Sequence, residues 1–269
     1  MELLSEVKRV RTWVMPAALI LAGITIASVL IWLCPDTKEA DENLSTTAYV
    51  AVATNFKSTA DQLIAAFTAQ HHHELIVVSG STGKLFNQIK QGAPFDLFLS
   101  ADAQRAGFLI AEGFAVPGSQ TTYAVGRLVL LGNQPTTLAD LKRNQFRRLA
   151  MANPKLAPYG LAASQTLETL ALNHVLADKI VMGENVGQAY AMVATGNADL
   201  GFVALSMIQP GERTQAWLVP AEYHDPIRQD LVLLKHGQNN PAAQAFIQFL
   251  SSRQAGALIE AAGYQGNST

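Results

Sequence analysis

AYVAVATNFKSTADQLIAAFTAQHHHELIVVSGSTG, residues 48–83, is the stretch that decides the fold. Two apolar, β-rich runs, AYVAVA (48–53) and ELIVVS (74–79), flank a segment in which Phe56, Ala60, Leu63, Ile64 and Phe67 recur at helical spacing. A helix there has a single apolar face, and strand, helix, strand in succession is a βα unit feeding a parallel sheet.

The same alternation continues through DLFLS (96–100), RLVLL (127–131), RLAMA (148–152), DKIVM (178–182), DLGFVA (199–204), AWLVP (216–220) and DLVLL (230–234). Apolar runs without strict alternation suit strands covered on both faces, so an α/β fold with mostly parallel sheets and helices on both faces is expected. TYAVGRLVLLG (122–132) and PIRQDLVLLKHG (226–237) look alike and fit a chain that leaves one lobe and later returns to it. The expected organisation is a first lobe over 47–126, a second over 127–224, and a return to the first over 225–269. The helical stretches Ala242 to Leu250 and Ala255 to Ala262 are expected to pack on the first lobe.

The N-terminus reads separately. A basic region, 1–12, holds Lys8, Arg9 and Arg11, and an apolar segment, 13–34, follows it. At about 1.5 Å per residue that segment crosses a hydrocarbon layer of roughly 30 Å, with the positive flank on the cytoplasmic side. It is expected to act as a signal sequence or a membrane anchor, followed by a polar tether, 35–46. Cys34, the sole cysteine, precludes an intrachain disulfide. A net charge of −2 with 15% charged residues provides no basic stretch, and no nucleic-acid partner is expected.

Four polar loops follow apolar runs: Thr54-Asn55, Ser79 to Gly83, Asn153 to Gly160, and Glu184 to Gly187. A helix start offers N–H groups without intrahelical partners and a partial positive charge, so each junction suits an anion. Each is also explicable as a plain N-cap. Their recurrence after strands, where ligands of open α/β sheets bind, favours an anion cleft. Gly80-Ser81-Thr82-Gly83-Lys84 is no nucleotide P-loop, because Val78 and Leu85 occupy the positions that require glycine and Ser/Thr. His71-His72-His73-Glu74 lacks metal-ligand spacing, and His224-Asp225 reads as a loop contact. Asp96 and Asp102 read as capping residues, and no nucleophile with a base stands out.

VATNF (52–56), SGSTGK (79–84), QIKQGAPFDLFLSAD (88–102), NPKLAPYGLA (153–162), NVGQA (185–189) and ADLGFVAL (198–205) resemble the periplasmic molybdate- and tungstate-binding proteins of ABC importers. The resemblance runs in order from Ala48 to Tyr264. It implies a two-lobed type II periplasmic-binding-protein fold with the ligand cleft between lobes, no enzymatic activity and no cofactor. It further implies an extracytoplasmic monomer that delivers molybdate or tungstate to an inner-membrane permease. The implied pocket is the Thr54 hydroxyl with the Asn55 amide, Thr82, the Tyr159 phenol and the Val186 backbone N–H, with Ser81 as an additional candidate. The metal is bound as the oxyanion, not as a cation. Some members carry a tyrosine where this chain has Ala204, so Tyr159 is expected to supply the phenol. Binding of sulfate or phosphate, or service as a membrane-anchored sensor domain, are the alternatives.

Overall fold

The computed structural model describes residues 46–266. The expected basic region, the apolar segment 13–34 and all but the last residue of the tether lie outside the described residues. Among the described residues no helix is long and apolar enough to cross a membrane.

Two five-stranded sheets form the frame. The first holds β1 (Thr47–Ala53), β2 (Glu74–Gly80), β3 (Leu97–Leu99), β4 (Thr121–Gly126) and β10 (Ile227–Leu233), in the order β2-β1-β3-β10-β4. The second holds β5 (Leu128–Gly132), β6 (Leu149–Ala152), β7 (Ile180–Gly183), β8 (Leu200–Ala204) and β9 (Trp217–Leu218), in the order β7-β6-β8-β5-β9. β1 pairs parallel with β2 and β3, while β10 is antiparallel to both β3 and β4, so it alone runs against the other four. β5 has the same place in the second sheet, antiparallel to β8 and β9. The expectation of mostly parallel sheets therefore holds, and the reversed strand in each is the one that enters it from the other sheet.

Helices cover both faces of each sheet because consecutive strand residues face opposite ways. In β1, Val50 and Val52 join a core with Phe56, with Leu63 and Phe67 of α1 (Lys57–Thr68), and with α7 (Pro241–Leu250) and α8 (Arg253–Ala261). Ala51, between them, faces α2 (Thr82–Lys90) and α3 (Ala103–Ala111) through Leu85, Ile89 and Leu109. Phe67 lies edge-on to Phe246 and Phe249, at centroid distances of 5.4 and 5.7 Å. Each such buried ring contributes about 1.5–3 kcal/mol relative to an exposed one.

In the second lobe α4 (Leu138–Arg143) and α5 (Pro158–Thr169) pack with Leu149 and Met151 of β6, while Ala150 faces Ala189 and Val193 of α6 (Val186–Ala194). The His71 ring stacks on Phe67 at 4.4 Å and His73 meets Thr46, so two of the three histidines are engaged in contacts just beyond the helix end. Asp102 caps α3 by accepting the Arg105 N–H, and Asp96 accepts the Tyr49 N–H and meets His236.

Candidate functional site

The carboxyl ends of the parallel strands of both sheets face one another, and the loops that follow them line a small pocket of about 10 Å³. β1 supplies Thr54 and Asn55, β2 supplies Ser81 and Thr82, and β3 supplies Ala101. From the second sheet β6 leads to Ala157, Pro158 and Tyr159, and β7 to Asn185 and Val186. All six residues expected at the pocket line this one space.

Each loop is a helix start, as the spacing of polar and apolar residues anticipates. Ser81 is the N-cap of α2, Ala157 that of α5 with Pro158 in the first turn, and Asn185 that of α6. Asn185 accepts the Gln188 N–H, which leaves the Val186 N–H, the first of its helix, without an intrahelical acceptor. Three helix N-termini thus direct partial positive charge at the cavity. No lining side chain is charged.

The hydroxyls differ in what they have left to give. Thr54 Oγ1 and Ser81 Oγ are buried with no hydrogen-bond partner. An unsatisfied buried hydroxyl costs about 1–3 kcal/mol, and two on one cavity wall mark it as shaped for a polar occupant. Thr82 Oγ1 accepts the Ala101 N–H at 3.2 Å and keeps its proton. Tyr159 Oη accepts from Gln229 Nε2 at 3.2 Å and likewise keeps its proton. Burial, with Tyr264 adding to it, pushes the Tyr159 phenol well above its ordinary range, outweighing the Gln229 and Asn55 amides that pull the other way. The phenol is a neutral donor at any physiological pH.

The structure redistributes two expected roles. Both Asn55 side-chain N–H groups are committed elsewhere, to Gln229 Oε1 at 2.9 Å and Tyr264 Oη at 3.0 Å, so of its two amides only the main-chain one faces no such claim. Of the two adjacent hydroxyls in the Ser-Gly-Ser-Thr loop, the unpartnered one belongs to Ser81, not Thr82. Gln229, a residue no motif singled out, lies fully buried in β10 and joins Asn55, Tyr123 and Tyr159. Its signal was the polar run Arg228-Gln229-Asp230 inside an otherwise apolar strand.

Contacts between the loops of the two sheets close the cavity. Gly83 N–H donates to Leu156 O at 2.8 Å, Arg105 Nη2 to Lys155 O at 2.9 Å, and Ser206 Oγ to Asn55 O at 3.0 Å. At the rim Lys84 Nζ lies 3.0 Å from Glu184. Glycines permit the closeness: a Cβ on Gly126 would stand 2.2 Å from Tyr159 Oη, and one on Gly187 2.6 Å from Thr54 Cγ2. A roomier surface cleft beside Asp140 and Asp199 has its carboxylates already spent, on Thr137 and on the Arg147 and Arg148 N–H groups.

A frame of two sheets with a pocket of uncharged hydroxyl and N–H groups at their junction is that of a two-lobed solute-binding protein. The chain belongs to the bacterial extracellular solute-binding protein family, whose pattern matches residues 48–265. It is 45% identical over 222 residues to the molybdate-binding protein ModA of Azotobacter vinelandii, covering 80% of this chain and 88% of that one. Identity to ModA of Rhodobacter capsulatus is 43% over 217 residues, covering 80% and 86%. The A. vinelandii periplasmic molybdate-binding protein superposes with a TM-score of 0.78 at 40% identity, over 81% of this chain and 98% of that one. The sulfate-binding protein SubI of Mycobacterium tuberculosis H37Rv, with a TM-score of 0.68 at 16% identity over 83% and 88%, shares the fold.

Proposed function

We propose that this protein captures molybdate or tungstate between its lobes and delivers the anion, chemically unchanged, to an ABC permease. The observation that carries the reading is the pair of buried, unpartnered hydroxyls, Thr54 Oγ1 and Ser81 Oγ, on the wall of a cavity that also holds the Tyr159 phenol and the start of the helix at Val186, and no charged side chain. The proposed ligand set is those two hydroxyls, the Asn55 and Val186 main-chain N–H groups, the Tyr159 phenol and the Thr82 hydroxyl. The identity to two molybdate-binding proteins supports the choice of anion.

A tetrahedral dianion offers four oxygens, and hydrogen bonds to charged groups contribute about 1.5–3 kcal/mol each. Six such bonds amount to about 9–18 kcal/mol, which can reach the roughly 8 kcal/mol of micromolar affinity after ordering costs of several kcal/mol. Neutral donors and helix starts spread the compensating charge, and geometry then discriminates more than charge does. The lobes would hinge where β4 runs into β5 and where the chain returns through residues 219–227, with capture by closure. The apolar segment 13–34 would place the protein outside the cytoplasm, as a signal or an anchor, and the mass of the mature protein distinguishes the two.

Calorimetric titration with molybdate, tungstate, sulfate and phosphate tests the reading. Micromolar or tighter binding of the first two is expected. Binding of sulfate or phosphate alone would assign the cavity to another oxyanion.

A further inference from the structure

The hydrogen-bond network behind the cavity has only one direction open to it, and it ends on Tyr159. Its fixed point is a main-chain atom. Tyr264 Oη lies 2.8 Å from the Asn55 carbonyl oxygen, which can only accept, so the single Tyr264 proton is spent there. The Tyr264 oxygen, 3.0 Å from the Asn55 side chain, must then accept, and Asn55 presents its amide nitrogen. That nitrogen is also 2.9 Å from Gln229, which therefore turns its oxygen toward Asn55. Tyr123 Oη, 3.2 Å from the same oxygen, suits the same setting.

With Oε1 facing Asn55 and Tyr123, Gln229 Nε2 faces Tyr159 Oη, and the phenol oxygen has to accept. The phenol proton is directed away from Gln229, no described residue accepts it, and Tyr159 lines the cavity. We propose that Gln229 is a positioning residue, which fixes Tyr159 as a proton donor toward the captured anion; the inference rests on the oxyanion reading above. Without it the phenol O–H has a second setting, turned back toward β10, and part of the binding free energy goes to reorienting it. Because Gln229 belongs to the first sheet and Tyr159 to the second lobe, the bond that sets the phenol forms only when the lobes meet.

A double-mutant cycle read by calorimetric titration with molybdate tests this. Gln229→Met leaves Asn55 its Tyr264 partner and Tyr123 the Ser100 carbonyl oxygen. It is expected to weaken binding about 10-fold, and less than about 3-fold when Tyr159→Phe is already present. Gln229→Glu, closer in shape, runs through the same cycle and carries the test should the methionine variant not fold. Its carboxylate accepts a hydrogen bond from the phenol O–H and so turns it away from the anion; a loss of about 100-fold or more is expected, at least 10-fold smaller in the presence of Tyr159→Phe. Thermal melting without ligand monitors folding of every variant. Equal losses with and without Tyr159→Phe would overturn the proposal, since a residue that merely holds the strand acts additively. Wild-type binding with unchanged Gln229 variants would overturn the proposal alone, whereas no wild-type binding of any oxyanion would overturn the functional reading with it.

Discussion

Ser81→Ala separates a helix cap from a ligand group. Ser81 occupies the N-cap of α2 with extended backbone, φ −64° and ψ 144°, but its hydroxyl makes no capping bond and is buried without a partner. If the hydroxyl capped the helix, its removal would cost about 0.5–2 kcal/mol, or several degrees of melting temperature in a body of this size. Since no such bond exists and the buried hydroxyl is itself unsatisfied, the unliganded melting temperature is expected to hold or to rise by a few degrees. The loss should fall on ligand binding. Loss of one hydrogen bond to a charged acceptor, about 1.5–3 kcal/mol, weakens molybdate binding by about 10- to 150-fold. At a fixed ligand concentration far above the dissociation constant, a 100-fold loss removes about 2.7 kcal/mol of ligand-conferred stability. Calorimetric titration and thermal melting with and without molybdate read both quantities. A fall of several degrees without ligand, together with unchanged affinity, would refute the reasoning and restore the cap.

Gly126→Ala drives a methyl group into Tyr159 Oη and against Gln229 Nε2, 2.9 Å from the added carbon, and overpacking of this kind costs about 1–3 kcal/mol. Titration should show a loss of about 5- to 150-fold that exceeds any loss of unliganded stability, because opening the lobes relieves the clash with the phenol. Lys84→Ala removes the rim pair with Glu184, whose side chains are 51% and 40% exposed, so affinity should change less than about 5-fold, and less still at high salt. An effect above 20-fold would make the rim pair part of the binding site. The Asp199 carboxyl is held below its usual range: burial pushes it up, but the N–H groups of Arg148 and Arg147 and the Arg147 side chain outweigh that. A depressed value contributes stability that is present above the unfolded value of about 3.9 and is lost as pH falls below it. Asp199→Asn should therefore lower stability at pH 7 and flatten its decline below about pH 4; an unchanged acid-unfolding profile would count against this account.

Much of the architecture was legible because it depends on local periodicity. Each of the nine apolar runs coincides with most or part of a strand, and β4 was visible only within the longer TYAVGRLVLLG segment. The short turn Thr54–Phe56 was not anticipated. Thr54 and Asn55 read as caps of the following helix, yet that helix begins at Lys57, and the intervening 3-10 turn carries Asn55 inward. The residues that line the pocket were likewise legible, as polar positions at helix starts that follow strands.

What the chain by itself determined is therefore the alternation of strand and helix, the loops that become pocket-facing helix starts, and the lack of charged residues among those that line it. Only the tertiary structure decided which donors are free. Asn55 gives its side-chain N–H groups to Gln229 and Tyr264, 174 and 209 residues away, and Thr82 accepts an N–H from 19 residues on, while neighbouring Ser81 meets no partner. A hydroxyl or amide has the same donors wherever it stands in a sequence. Whether they are already spent depends on which distant groups closure of the fold brings within hydrogen-bonding distance, and no local pattern encodes that.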